Sequence, residues 1–256
     1  MMLNESLYPL VSERLNKGAQ ITPRVESMFT ITGEQGALCF DQVQRWLGLL
    51  SPSAQKLKES GILSTERTRK VIRPWIDREL VEYRVFYAKQ KGWLWLTAKG
   101  LKYFDVPLRP YEPAPASLAH LYAVNTIRYL IAVRRPADQW RSERILRAEQ
   151  HASKHDTKST HLPDAEVITP SSGTIKAIEC ELAVKNETYL ENVIFDLAAN
   201  PRYNAIWYFL PPQVKTTVAR AIGKLPPEHQ PRFSLYTLKG EPYKDERKPV
   251  SPAGEQ

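Results

Sequence analysis

Three acids in the second half of the chain have the types and spacing to hold a cation. Asp164 follows Pro163 at the head of an apolar run, and Glu179 and Glu181 lie some fifteen residues later in what reads as the partner strand. With side chains alternating every second residue, Ile178, Cys180, Leu182 and Val184 point to one face of that strand, and Glu179 and Glu181 to the other. Lys185 shares the parity of the glutamates if the strand stays extended that far, and Glu143 adds an acid from the segment before. Carboxylates converging from adjacent strands suit a hard cation, magnesium or manganese, with Asp164 and Glu179 as its ligands. A nearby lysine can stabilise charge on a phosphate. The expected catalytic set is therefore Asp164, Glu179, Glu181, Lys185 and Glu143. The alternative is that Glu179 and Glu181 only solvate the exposed face of a strand. His161 stands where it can assist a metal or orient Asp164, although a lone histidine is more often structural. The sequence has no glycine-rich phosphate loop and no Ser-His-Asp pattern.

A second group of candidate residues is cationic. Residues 64 to 103 contain ten cations against four acids, so +6 of the chain's net +8 sits in forty residues. That concentration is the footprint of a phosphate-binding surface, with a solvated basic face as the alternative. The DNA-binding candidates are Arg67, Arg69, Lys70, Arg73, Lys89 and Lys91. The partner implied is double-stranded DNA. Of the 256 residues, 42% are hydrophobic and 25% charged, enough for a real core. No run approaches the roughly eighteen apolar residues that a membrane span needs, and the first residues do not read as an export signal. Two cysteines, far apart, argue against a disulfide scaffold or a zinc finger. Together these features predict a cytoplasmic protein with no membrane association.

These residues need elements to position them. A first helix is expected from Thr22, with Pro23 at its first position and Gly33 as its stop; a second covers Phe40 to Gly48. A third starts at Ser64 and carries Val71, Ile72, Trp75 and Ile76 on one stripe, with Arg67, Lys70 and Arg73 away from it. Pro74 predicts a bend or an early end. Tyr83, Val85 and Tyr87 alternate, KQKG turns the chain and Trp93 to Leu96 return, which makes a hairpin with Lys89 and Lys91 at its tip. Three helices and a basic hairpin predict a winged helix-turn-helix over residues 20–105, its third helix suited to the major groove. Four prolines make 106–116 an extended linker. Residues 117–239 read as mixed strands and helices around a central sheet, with Ser142 to Gln150 as a strand and a hairpin around Ser171 to Gly173. The polar stretch 240–256 reads as a disordered tail.

The sheet order and paired acids resemble the PD-(D/E)xK class of metal-dependent phosphodiesterases, although Glu181 stands where that pattern has its lysine. Further stretches widen the likeness: WLWLTAKGL, LAHLYAVNTIR, WRSERILR, HLPDAEV, AIECELAVKNETYLENVI and AIWYFLP. In their order they resemble the replication-relaxation family of plasmid and mobile-element proteins, from Thr22 to Leu238. Glu79-Leu80, where that family often has Gly-Leu, and Pro74 are departures. The resemblance implies an α+β chain, an N-terminal winged helix-turn-helix followed by an α/β PD-(D/E)xK nuclease-like domain. The function it implies is that of a DNA-binding accessory or regulatory protein in replication or transfer of extrachromosomal DNA, with replication or transfer proteins as partners. Two other readings stay open: a magnesium-dependent nuclease or nicking enzyme, and a protein–protein adaptor on a degenerate nuclease-like fold. A homodimer is compatible with each.

Overall fold

A computed structural model describes residues 22–51, 61–152, 161–184 and 186–243. Lys185, most of the 240–256 tail and residues 20 and 21 lie outside them. The fold is mixed α+β, with eight α-helices and two sheets among the described residues. No helix there is long and apolar enough to cross a membrane.

Helix α1 (Pro23–Gln35) starts as expected, with Thr22 as its cap and Pro23 at N1. It runs through Gly33 and stops at Gly36, whose φ of 88° is open to glycine at little cost. Gly33 serves packing instead, since a Cβ there would press on Val106 and Leu96. Strand β1 (Ala37–Cys39), too short for its period to be read, follows directly. Helix α2 (Phe40–Leu49) likewise runs through its expected stop: a Cβ on Gly48 would lie 2.1 Å from the Gly61 carbonyl oxygen. Helix α3 (Thr65–Asp77) is capped by the Ser64 hydroxyl and continues past Pro74 to Asp77. Thr68, Ile72 and Trp75 are its buried face, whereas Ile76 is exposed.

Strands β2 (Val81–Arg84) and β3 (Trp93–Leu96) form the hairpin, and β1 adds to β3, so the sheet order is β1-β3-β2, all antiparallel. Of the alternating Tyr83, Val85 and Tyr87 only Tyr83 lies in a strand, since β2 ends at Arg84. All three are exposed, while the intervening Phe86 packs on Trp95. Helix α4 (Ala98–Tyr103) closes this unit, and Phe29 meets Trp75 edge-on and Phe104 at 3.8 Å in its core.

Residues 106–114 form neither helix nor strand, as their prolines require, yet they are tied down. Val106 and Leu108 pack on the first core, Tyr111 covers Gly36, and the Arg144 guanidinium donates to the Arg109 and Gly33 carbonyls.

Helix α5 (Leu118–Arg134) opens the second unit. Strand β4 (Gln139–Ser142) precedes helix α6 (Glu143–Ala152), so of the strand expected over Ser142 to Gln150 only Ser142 is in a strand and Glu143 to Gln150 are helical. Only Leu146 of α6 is buried, and the Glu143–Arg147 ion pair, one turn apart, supports its wet face. Strands β5 (Ala165–Thr169) and β6 (Thr174–Cys180) form the expected hairpin, with Gly173 at φ 67°. Then come α7 (Glu187–Ala199), β7 (Ala205–Phe209), α8 (Pro212–Gly223) and β8 (Phe233–Tyr236). The sheet order is β4-β5-β6-β7-β8, antiparallel up to β6 and parallel beyond. Alternate residues separate its faces. Ala177, Ile206, Tyr208 and Phe233 pack with α7 and α8, while Val167, Ile178, Cys180 and Phe209 pack with α5. Part of the expected tail is placed as well: Pro242 bridges to Tyr236, and the Tyr243 hydroxyl donates to the Leu210 carbonyl.

A polar seam joins α5 to the first unit. Asn125, 1% exposed, donates to the Ala37 carbonyl at 2.8 Å and accepts from Gln35 Nε2 at 2.7 Å. One turn on, Arg128 pairs with Glu34 at 2.5 Å and also reaches Gln35. On β5, Glu166 is 1% exposed and takes Arg202 in a two-point grip at 2.6 and 2.8 Å, with Arg141 at 2.8 Å. Burying that carboxylate is tolerable because every oxygen is met by a cation.

Candidate functional site

Two groups of side chains stand out, one basic and one acidic. On α3, Arg67, Arg69, Lys70 and Arg73 are all exposed, and Arg67, Lys70 and Arg73 lie opposite the Thr68, Ile72 and Trp75 stripe. Lys70 meets Glu66 at 2.8 Å and Arg73 meets Asp77 at 4.0 Å, both as exposed i,i+4 pairs. Such pairs contribute no more than about 1 kcal/mol and are screened by salt, so they leave the cations open to a polyanion. Among the described residues Arg67 and Arg69 form no ion pair. Lys89 sits in the hairpin turn at φ 62°, exposed. Lys91 is differently placed: its ammonium lies 3.8 Å from the Asp41 carboxylate on α2.

The acidic group lies where β5 begins and β6 ends, with α5 and the start of α6 beside Asp164. Asp164, immediately before β5, accepts from the Cys180 amide at 2.8 Å with one oxygen and meets His120 Nε2 at 2.9 Å with the other. Glu179, on β6, is 8% exposed and meets His161 Nε2 at 2.8 Å. It therefore does not solvate an open strand face; it lies on the side covered by α7 and α8, level with Tyr208 across the parallel pair. Glu181 follows the end of β6, half-buried, its amide bonded to the Phe209 carbonyl. Glu143 opens α6 beside them: its amide donates to the Asp164 carbonyl, but its carboxylate pairs with Arg147. The structure thus brings Asp164, Glu179 and Glu181 into one neighbourhood with Glu143 at the margin. Lys185 lies outside the described residues.

Two histidines complete the group. His161 does not orient Asp164 as the sequence suggests; it holds Glu179 instead. Asp164 is held by His120 of α5, which sequence reasoning missed. His120 lies 44 positions from Asp164, and the apolar pattern around it marks only a helix. The Cys180 amide and His120 take the two oxygens of Asp164 and His161 takes one oxygen of Glu179, so a cation at Asp164 would compete with His120. Among the described residues no three His, Cys, Asp or Glu side chains gather to hold an ion.

Burial pushes the Glu179 carboxyl up to about 7, with Asp164 and Glu181 adding to it and His161 opposing. The bond to Asp164 raises His120. Burial alone would lower His161, but the contact with Glu179 outweighs it and the net shift is upward. These directions set a pH dependence. A carboxyl whose folded pKa is raised contributes stability that is fully present below the ordinary value near 4.5 and is lost as pH rises through about 7. The histidines act in the same sense above their ordinary value of 6.5. We therefore expect Glu179→Gln to flatten the fall in stability between pH 4.5 and 7.5, by about 1–3 kcal/mol. Melting curves across that range check it; parallel curves for the two proteins would contradict it.

In comparisons with known proteins, no family model, no curated protein and no solved structure matches the chain.

Proposed function

We propose that the chain is a DNA-binding protein that docks α3 and the β2–β3 hairpin on duplex DNA. The carrying observation is the exposed cationic face of α3, with Arg67, Arg69, Lys70 and Arg73 all solvent-facing. The order α1-β1-α2-α3-β2-β3 and the sheet order β1-β3-β2 support reading this unit as a winged helix-turn-helix, with α3 the element for the major groove. Phosphate contacts of this kind supply affinity and position, not sequence choice. With the family resemblance, the reading becomes a cytoplasmic accessory or regulatory factor in replication or transfer of a plasmid or mobile element. Titrating a labelled duplex across a salt series tests it. Log affinity should fall steeply with log salt, and Lys89→Glu should reduce that slope by about 0.9. Salt-independent binding, or none, would refute the reading.

One observation favours a second reading, a magnesium- or manganese-dependent nuclease on a PD-(D/E)xK-like domain. Asp164 and Glu179 reach the same neighbourhood from adjacent strands, in a sheet antiparallel on one side and parallel on the other. Against it stand Glu181 in the lysine position and the histidines on the carboxylates. We expect supercoiled plasmid to remain intact with the protein and either metal. Cleavage by the wild type that disappears in Glu179→Ala would establish the nuclease reading instead.

A further inference from the structure

Asp41, the second residue of α2, is an unusual neighbour for a DNA-binding hairpin. Its side chain is 14% exposed and takes the Tyr122 hydroxyl on Oδ2 at 2.7 Å. Tyr122 belongs to α5, so the second unit fixes this carboxylate in place. The same Oδ2 lies 3.8 Å from the Lys91 ammonium, while the neighbouring Gly92 carbonyl accepts from the Phe40 amide at 2.9 Å and pins the base of the hairpin to the start of α2. An anionic oxygen already stands next to a cation that the hairpin would otherwise present to a phosphate. Lys89, two residues away in the turn, has no such neighbour among the described residues.

We propose that Asp41 is an internal phosphate substitute, a carboxylate that occupies Lys91 so that duplex DNA reaches this lysine only by displacing it. The inference rests on the DNA-binding reading and adds a restraint to it. The cationic surface that acts at first contact is α3 with Lys89, and Lys91 is held in reserve by a carboxylate that α5 keeps in position. Lys91 is more than half exposed, so the pair is weak enough for a polyanion to open. Binding then exchanges one ion pair for another, and Lys91 yields little net affinity while Asp41 remains charged.

Asp41→Asn tests this, because the amide keeps an oxygen for Tyr122 and removes the charge facing Lys91. Affinity for a labelled duplex of about 20 base pairs should rise roughly 3–10-fold, and the salt slope should steepen by about 0.9, one added phosphate contact. Lys91→Ala should change wild-type affinity less than about 2-fold, yet erase the whole gain in the Asp41→Asn background; this non-additivity is the signature of a coupled pair. Unchanged binding by Asp41→Asn overturns the proposal. So does a Lys91→Ala loss of equal size in both backgrounds, and Lys91→Ala alone, at a solvent-facing position, gives that answer if Asp41→Asn folds poorly. If the wild type and all variants fail to bind duplex, the DNA-binding reading falls and the restraint falls with it.

Discussion

Reversing Arg67 and Lys70 together to glutamate should weaken duplex binding by at least about 100-fold and lower the salt slope by about 1.8, the share of two phosphate contacts. Both side chains project from the solvent face of α3, neither supports the core, and the Ser64 cap uses only the Arg67 amide. The double variant should therefore melt within a few degrees of the wild type, since surface changes of this kind cost little. Arg220→Glu on α8 is the control. It makes half that charge change, −2 against −4, on the other unit, at a residue 59% exposed. A loss in log affinity half that of the double variant would mean that net charge alone drives binding. No loss in the α3 variant would remove α3 from the interface. Because Lys70 and Arg73 each neighbour an acid one turn away, Arg67 should carry more of the effect than either.

The largest expected loss of stability lies elsewhere, at Glu166. Replacing it with alanine leaves Arg141 and Arg202 facing one another without the carboxylate that both grip. Removing one partner of a buried pair costs about 3–5 kcal/mol; because the Arg202 side chain is 44% exposed and can turn to water, about 2–4 kcal/mol is expected here. For a chain of this size that corresponds to a drop in Tm of very roughly 5–15 °C. Glu166→Gln keeps the volume and one acceptor and should lose less. A melting temperature unchanged by Glu166→Ala would show that the guanidinium groups find other partners, with Glu149, already paired to Arg141, the nearest acid.

How far such residues can be read from sequence depends on whether their partners are local. The cap at Ser64, the stripe of α3, the β5–β6 hairpin and the shared neighbourhood of Asp164, Glu179 and Glu181 follow from spacing, because period and turn chemistry act over a few residues. The failures have a different cause. Gly33 and Gly48 look like helix stops, but they are small because Val106 and the Gly61 carbonyl come close from distant parts of the chain. Ser142 to Gln150 carries too few apolar residues for its period to separate helix from strand; one buried leucine is all that α6 needs. Tyr83, Val85 and Tyr87 alternate as a strand would, yet β2 ends at Arg84 and the last two lie beyond it. His120 could not be assigned because its partner is set by how α5 lies against the sheet, which no local pattern encodes. Glu166 was hidden similarly, between two arginines 25 and 36 positions away.

The seam under α5 also bears on how portable the DNA-binding unit is. Cutting the chain between the prolines of 107–115 would strip α5 from β1 and α2. Asn125 would then leave the Ala37 carbonyl, and Gln35 and Gln42 would lose the partners that satisfy them. Unmet polar groups of this sort cost about 1–3 kcal/mol each. A graft that borrows residues 22–105 alone would carry an open wound on one side. One that extends to Arg134 keeps these bonds but bares Ile127 and Ile131, the face of α5 that packs on the second sheet, so a movable module needs that face recast in polar residues.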